Sequence, residues 1–295
     1  MVPPMSTTNS DSLMGVARTV SALRARMDAW RADGQKMAFV PTMGALHDGH
    51  LSLVTHGARH ADKVVASIFV NPAQFAPDED LETYPREEIR DLELLQSVGC
   101  DLAYVPPAEE MYPPGFQTAV AVKDISQGLC GDSRPHFFGG VVTVVCKLLN
   151  QCRPDFAVFG EKDYQQLLVI RRMVCDLDMD VEIIGAPIVR EDDGLAMSSR
   201  NVYLSDDERV VAGELNKALA VMAIDLEGGA TVERVLANGR TELEKRGFTE
   251  IDYLEIRCAD DLSKPQPGPA TVTLRILAAA MVGKTRLIDN WPVEI

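Results

Sequence analysis

Two histidines three residues apart, His47 and His50, follow an apolar run in "MAFVPTMGALHDGHL", with Gly44 and Gly49 beside them. His56 and His60 follow shortly after, so four of the chain's five histidines cluster, and a zinc site has to be considered. Helix geometry speaks against it. At about 100° per residue, a helix over 50–61 puts Leu51, Val54, Ala58 and Ala61 on one face. His56 and His60 then lie on the opposite, solvated face. Their i,i+4 spacing suits a metal pair, but no nearby Glu or Cys completes a ligand set. His47 and His50 instead fall in the turn and the first helical turn, where free N–H groups and the helix dipole favour an anion. Gly44 and Gly49 allow close backbone approach to phosphate. Imidazole N–H donors placed there can stabilise charge on a phosphoryl group.

Three further stretches carry polar chemistry. In "FGEKDYQQ" (159–166) an apolar run leads into Lys162, a compact cation for phosphate, and Asp163. Asp163 can accept from ribose hydroxyls or cap the helix that follows. In "GLAMSSR" (194–200) two serines and an arginine can donate to a polyphosphate, or a serine can simply cap a helix in a surface loop. In "FVNPAQF" (69–75) Asn71 and Gln74 follow a strand and can orient a polar substrate, or form only a turn.

These segments need a frame. "KMAFVP", "KVVASIFV", "DLAYVPP" and "FAVFG" read as strands. Between and after them, "HLSLVTHGARHA", "EEIRDLELLQSVG", "GVVTVVCKLLNQC" and "YQQLLVIRRMVCDLD" read as helices. Such alternation implies βαβ units and a parallel sheet covered on both faces, with ligands beyond the carboxyl ends of its strands. The expected organisation is a tail over 1–12, a Rossmann-like α/β domain over 13–187, and a smaller α+β domain over 188–295. The last has helices at roughly 205–226 and 231–246, then β-rich runs to the end.

Composition sets limits. The 295 residues suffice for a sizeable core and two domains. A net charge of −15 argues against a general nucleic-acid binder, although a local basic cluster can still hold a small anion. No run approaches 18 apolar residues, so no membrane span is expected, and the first residues lack a secretory pattern. Six cysteines without a C-x-x-C pair suit a reducing cytoplasm.

Taken in order, "PTMGALHDGH", "SIFVNPAQF", "YPR", "HFFGGVVTVVCKLLNQCRPDFAVFGEKDYQQL" and "VREDDGLAMSSRN" resemble the pantothenate synthetase (pantoate–β-alanine ligase) family, densely over 38–204. The H-x-G-H segment is also the signature of the wider nucleotidyltransferase superfamily, and "AMSSR" matches in place its mobile phosphate-binding motif. The resemblance implies a homodimer, a C-terminal lid and a two-step reaction with ATP and Mg²⁺. Pantoate is first adenylated, and the β-alanine amine then displaces AMP. It further implies His47, His50 and Lys162 as catalytic donors. The ATP site it implies is Met43, Gly44, Ala45, Leu46, Asp48, Gly49, Gly160, Glu161, Asp163, Val189, Met197, Ser198, Ser199 and Arg200. For pantoate and β-alanine it implies Gln74, Gln166 and Asn71, with Arg134 and Tyr84 near the same cleft. One departure stands out. Where family members carry acidic residues and a glutamine linked to magnesium, "YPREEIRDLELL" has Arg90 and Leu94, and only Asp91 matches. Magnesium is therefore expected mainly on ATP phosphates and water, with Asp91 at most an outer-shell partner. Two rival readings are another nucleotidyltransferase acting on a different acceptor and a non-enzymatic nucleotide-binding protein.

Overall fold

The computed structural model describes residues 14–76, 81–265 and 273–294; the tail expected over 1–12 lies outside them. The chain runs β1 (Gly15–Ala17), α1 (Val20–Ala32), β2 (Met37–Thr42), α2 (Asp48–Gly57), β3 (Lys63–Ile68), α3 (Glu88–Ser97) and β4 (Leu102–Tyr104). Two single-turn helices, α4 (Ala108–Met111) and α5 (Cys130–Ser133), precede α6 (Phe137–Cys152), β5 (Phe156–Gly160), α7 (Tyr164–Asp176) and β6 (Glu182–Ala186). There follow α8 (Asp206–Ala212), α9 (Glu214–Glu227), α10 (Val232–Lys245), β7 (Glu250–Cys258), β8 (Leu274–Val282) and β9 (Thr285–Val293).

The first six strands form one parallel sheet in the order β1-β4-β3-β2-β5-β6. Alternation along β2 divides the core. Met37 and Phe39 pack with α1, α6 and α7 on one face, while Ala38 and Val40 pack with α2 and α3 on the other. This is a Rossmann-like sheet with helices on both faces. The chain moves outward from β2 through β3 to β4, then returns to the other side of β2 as β5. That reversal opens a crevice beyond the ends of β2 and β5. The last three strands form a separate antiparallel sheet, β7-β8-β9, packed with α9 and α10 around a second core.

Several elements differ from those read in the sequence. β1, α1 and β6 extend the sheet and its cover, and none of them is expected from the sequence patterns. α1 is a one-sided helix, capped by Thr19 and burying only Leu23, Met27 and Trp30. The helix expected over 50–61 ends at Gly57. Leu51 and Val54 are buried as expected, but Leu53 and Gly57 complete the face, whereas Ala58 is exposed and Ala61 half-buried. A Cβ on Gly57 would lie 3.1 Å from the Ala38 Cβ, so the helix packs closely on the sheet there. The expected 205–226 helix is interrupted at Gly213, which separates α8 from α9.

Adjacent glycines at the start of α6 illustrate how tightly the crevice is framed. A Cβ on Gly140 would lie 2.1 Å from the Ala73 carbonyl oxygen, whereas one on Gly139 meets nothing within 4 Å. Gly139→Ala is expected to stabilise the protein by ~0.5–1 kcal/mol through helix propensity. Gly140→Ala is expected to destabilise it by ~1–3 kcal/mol through overpacking. Urea unfolding midpoints of the two variants check this, and equal shifts would refute it.

Candidate active site

The crevice is a cleft of about 830 Å³, walled by the ends of β2 and β5, the segment 187–201 and the edge of the second sheet. Its first wall begins with the turn after β2. The Thr42 hydroxyl donates to Ser67 O and accepts from Gly44 N. Gly44 and Ala45 then take left-handed backbone angles, φ +82° and +50°. A non-glycine residue there is unfavourable on its own. Asp91 compensates: its carboxylate accepts from Ala45 N at 3.0 Å and Leu46 N at 2.8 Å. A Cβ on Gly44 would meet that carboxylate at 2.9 Å. The glycine is thus required by the turn itself.

The turn delivers His47 to the N-cap of α2, where its Nδ1 accepts from Gly49 N at 3.1 Å. This leaves the Nε2–H as its donor. A Cβ on Gly49 would sit 2.8 Å from the His47 ring, so the glycine makes room for the imidazole. The His50 ring lies against His47 at a tilt of 41° with centroids 4.1 Å apart, and its buried Nδ1 has no partner. Burial, with the Lys162 charge adding to it, lowers the His47 pKa to about 4. Burial, then His47 and Lys162, lowers His50 to about 3. Both rings are therefore neutral at pH 7. Lys162 follows β5 in a short turn, its ammonium 3.6 Å from the Asp163 carboxylate. Asp163 occupies the N-cap of α7 but makes no capping bond, so the helix-cap alternative does not describe it.

The third wall carries Ser198, Ser199 and Arg200. Ser198 does cap a short turn, accepting from Arg200 N at 3.3 Å. Asn201 donates to Glu191 at 2.8 Å, and Arg209 donates to the same carboxylate at 3.1 and 2.7 Å. The Arg209 bonds are the main reason the Glu191 carboxyl lies below its ordinary range. Gln74 stands opposite, with its Oε1 held at 3.1 Å by the Asn71 amide. What Gln74 offers a ligand is therefore N–H donors, which match a carboxylate or hydroxyl oxygen. Arg134 donates to Gln74 O at 3.1 Å and stacks 4.1 Å over Phe137, while Tyr84 meets Phe75 edge-on.

Of the residues singled out from sequence, the cleft brings together His47, His50, Lys162, Met43, Gly49, Gly160, Asp163, Val189, Met197, Ser198, Ser199, Arg200, Gln74, Gln166, Arg134 and Tyr84. Seven others stand off its wall. Gly44, Ala45 and Leu46 build the turn, and Asp48 is exposed on α2. Glu161 pairs with Arg275 of β8 at 2.9 Å. Asn71 is buried with every polar atom used: Nδ2 donates to Gln74 and Gly140 O, and Oδ1 accepts from Tyr112 and Ala73 N. Its side chain holds Gln74 in place and has no polar atom left unpaired. Asp91 is 1% exposed and committed to the turn, which does not fit even an outer-shell partner of magnesium. Among the described residues, no group of three His, Cys, Asp or Glu side chains could hold a metal ion. His60 is exposed and His56 half-buried, away from the cleft. The reading of the sequence missed Lys284, Arg286 and Asp252, which reach the cleft from the second sheet. Arg286 donates to Asp252 at 2.9 Å. No local signal in "EIDYL" or "VGKTRL" marks these residues, because only the packing of one sheet over the other brings them there.

Comparison with known proteins gives one consistent result. A family model described as pantoate-beta-alanine ligase matches residues 15–292. A pantothenate synthetase of Caulobacter vibrioides is 54% identical over 279 residues, covering 94% of this chain and 98% of the relative. A crystal structure of pantothenate synthetase from Thermus thermophilus aligns with a TM-score of 0.87 at 45% identity, covering 94% of this chain and 99% of that one. A pantoate-beta-alanine ligase from Francisella tularensis, complexed with beta-gamma ATP and beta-alanine, aligns with a TM-score of 0.79 at 33% identity over 94% and 97%.

The histidine pair makes stability depend on pH. The unfolded chain binds protons on these rings below about 6.5, whereas the folded chain resists doing so down to about 4 and about 3. More protons on the unfolded state means that stability falls as pH drops below about 6.5. Unfolding free energies measured from pH 7 to 5 should decline, and less steeply in His50→Asn. In histidine ring NMR spectra, both residues should remain neutral at pH 5. A midpoint near 6.5 for either would refute the assignment.

Proposed function

The chain belongs to the pantoate-beta-alanine ligase family, and from that premise we propose how its cleft carries out the reaction. The protein is an ATP-dependent ligase that joins pantoate to β-alanine to give pantothenate. The carboxylate of pantoate attacks the α-phosphorus of ATP and pyrophosphate leaves, giving pantoyl adenylate. The amine of β-alanine, in its neutral form, then attacks the acyl carbon and AMP departs with the bonding electron pair. A carboxylate is too poor an electrophile for direct amide formation, and the adenylate supplies the leaving group.

The observation that carries this reading is the neutral His47–His50 pair at the N-terminus of α2, facing Lys162 across the reversal of strand order. In the first step charge builds on the oxygens of a five-coordinate α-phosphorus. His47, through its Nε2–H, and His50 are the uncharged donors, and Lys162 adds one fixed positive charge. Ser198, Ser199 and Arg200 hold the departing β- and γ-phosphates. Met43, Gly49, Gly160, Asp163, Val189 and Met197 line the nucleotide. The N–H donors of Gln74, with Gln166, take pantoate's oxygens, and Arg134 and Tyr84 close that end of the cleft. The second step depends on positioning more than on proton transfer.

Magnesium carried by ATP would lower the charge of the triphosphate, and Asp91, buried and committed to the turn after β2, would not hold it. Residues 13–187 form the body that binds nucleotide and pantoate, and residues 188–295 the part that closes over the adenylate and keeps water from it. The enzyme acts in the cytoplasm as a homodimer.

Three outcomes test this reading. Exchange of labelled pyrophosphate into ATP should require pantoate, and exchange driven instead by another acceptor would point to the rival nucleotidyltransferase reading. His50→Ala should lower that exchange by ~10²-fold or more, the scale expected for one lost transition-state donor. A folded variant with an unchanged rate removes His50 from the catalytic set. ATP binding without turnover in the full assay would leave only a nucleotide-binding protein.

A further inference from the structure

We propose that Asn290, a buried residue of β9, is a positioning residue for Lys162 in the adenylation step. The inference rests on the role given to Lys162 above. The turn that carries Lys162 has little support of its own. β5 ends at Gly160, the turn spans Glu161–Asp163, and Asp163 makes no capping bond to α7. Its support comes from the other sheet. The Asn290 amide donates both of its N–H groups to this turn, to Glu161 O at 2.8 Å and Lys162 O at 3.0 Å.

Asn290 is itself held in place. Its Oδ1 accepts from Arg275 Nε at 2.7 Å, and Asn290 and Arg275 are only 2% and 7% exposed. The same guanidinium donates to Glu161 at 2.9 Å and lies 3.8 Å from the centre of the Tyr164 ring. Glu161, Lys162 and Tyr164 are thus gripped from β8 and β9. The neighbouring Asp289 holds a second element of the cleft. It pairs with Arg190 at 2.6 and 3.0 Å, at the base of the hairpin leading to Ser198–Arg200, and accepts from Asn290 N at 2.8 Å. Two successive residues of one strand therefore set the spacing between the Lys162 turn and the hairpin before Ser198–Arg200.

Removing the Asn290 side chain leaves two half-buried carbonyls and the buried Arg275 Nε–H without this partner. The turn is then free to shift, and a displacement of about 1 Å at a reacting centre can cost ~10²-fold in rate. Lys162 is assigned to charge that develops in the transition state, so the loss belongs in kcat and leaves KM for ATP nearly unchanged.

The test measures pantoate-dependent pyrophosphate–ATP exchange and thermal unfolding for Asn290→Ala and Asn290→Asp, alone and combined with Lys162→Ala. Asn290→Asp keeps an acceptor for Arg275 but turns a carboxylate toward two carbonyls. Both variants should lose ~10- to 100-fold in kcat. Neither should slow the reaction further when Lys162 is already alanine, because residues acting through one another are not additive. Exchange within about twofold of the parent in a folded variant, or losses that multiply with Lys162→Ala, would overturn the proposal. Should both variants fail to fold, Glu161→Gln tests the same chain of contacts from its less buried end. It should lose several-fold in kcat, again with no added loss in Lys162→Ala, and full activity would overturn the proposal. An unimpaired Lys162→Ala enzyme would instead undo the reading on which this inference rests.

Discussion

The site depends on one buried carboxylate. Asp91, on α3, receives the amide hydrogens of Ala45 and Leu46 and so stabilises a turn in which two successive residues adopt left-handed angles. Without that turn the chain leaving β2 would continue past the sheet. With it, α2 begins at once, and its N-terminus opens on the crevice between β2 and β5. Burial raises the pKa of Asp91 against the effect of these two bonds, so the carboxylate is held in place at some electrostatic cost. Such a cost is reasonable where the alternative is two unpaired buried N–H groups.

Small residues then determine how closely the layers approach. Ala38 on β2 and Gly57 on α2 let the helix lie almost against the sheet. Gly49 lets the His47 ring fold over the first turn of that helix, and Gly140 lets α6 meet the turn carrying Gln74. The histidines end up enclosed by protein on one side and Lys162 on the other, which keeps them uncharged. A neutral imidazole can still donate one hydrogen bond. It adds no positive charge that would grip product pyrophosphate or AMP after the reaction.

Much of this is legible in the sequence, and the remainder has a common physical reason. His47 and His50 after β2, and Lys162 after β5, can be read because each follows an apolar strand directly, where an α/β sheet places ligands. Ser198–Arg200 can be read from its composition, although Ser198 also caps its own turn. Asp91 and Asn71 stand out in the sequence as polar residues near the site, but their partners are not the ones expected. Each satisfies backbone or amide groups that lie outside its own motif, and a motif does not report such pairings. β1 and β6 are short edge strands, and the apolar stripe of α1 is only three residues wide, so periodicity carries little signal there. Arg286 and Asn290 belong to the second sheet and Lys284 to the turn joining β8 to β9, and the position of that sheet over the first is a product of tertiary packing alone.

The grip of β9 on the Lys162 turn also bears on the chain's synthesis. β9 follows every other element described, while the parallel sheet, both histidines and Lys162 are already complete by β6. A ribosome-bound chain that has reached only β8 therefore already contains every strand of the parallel sheet. It still lacks the hydrogen bonds that hold the lysine's backbone and the salt bridge that anchors Arg190. The cleft reaches its final form only when residues 289–290 have emerged, so a half-made chain has the appearance of a nucleotide site before it has the geometry of one.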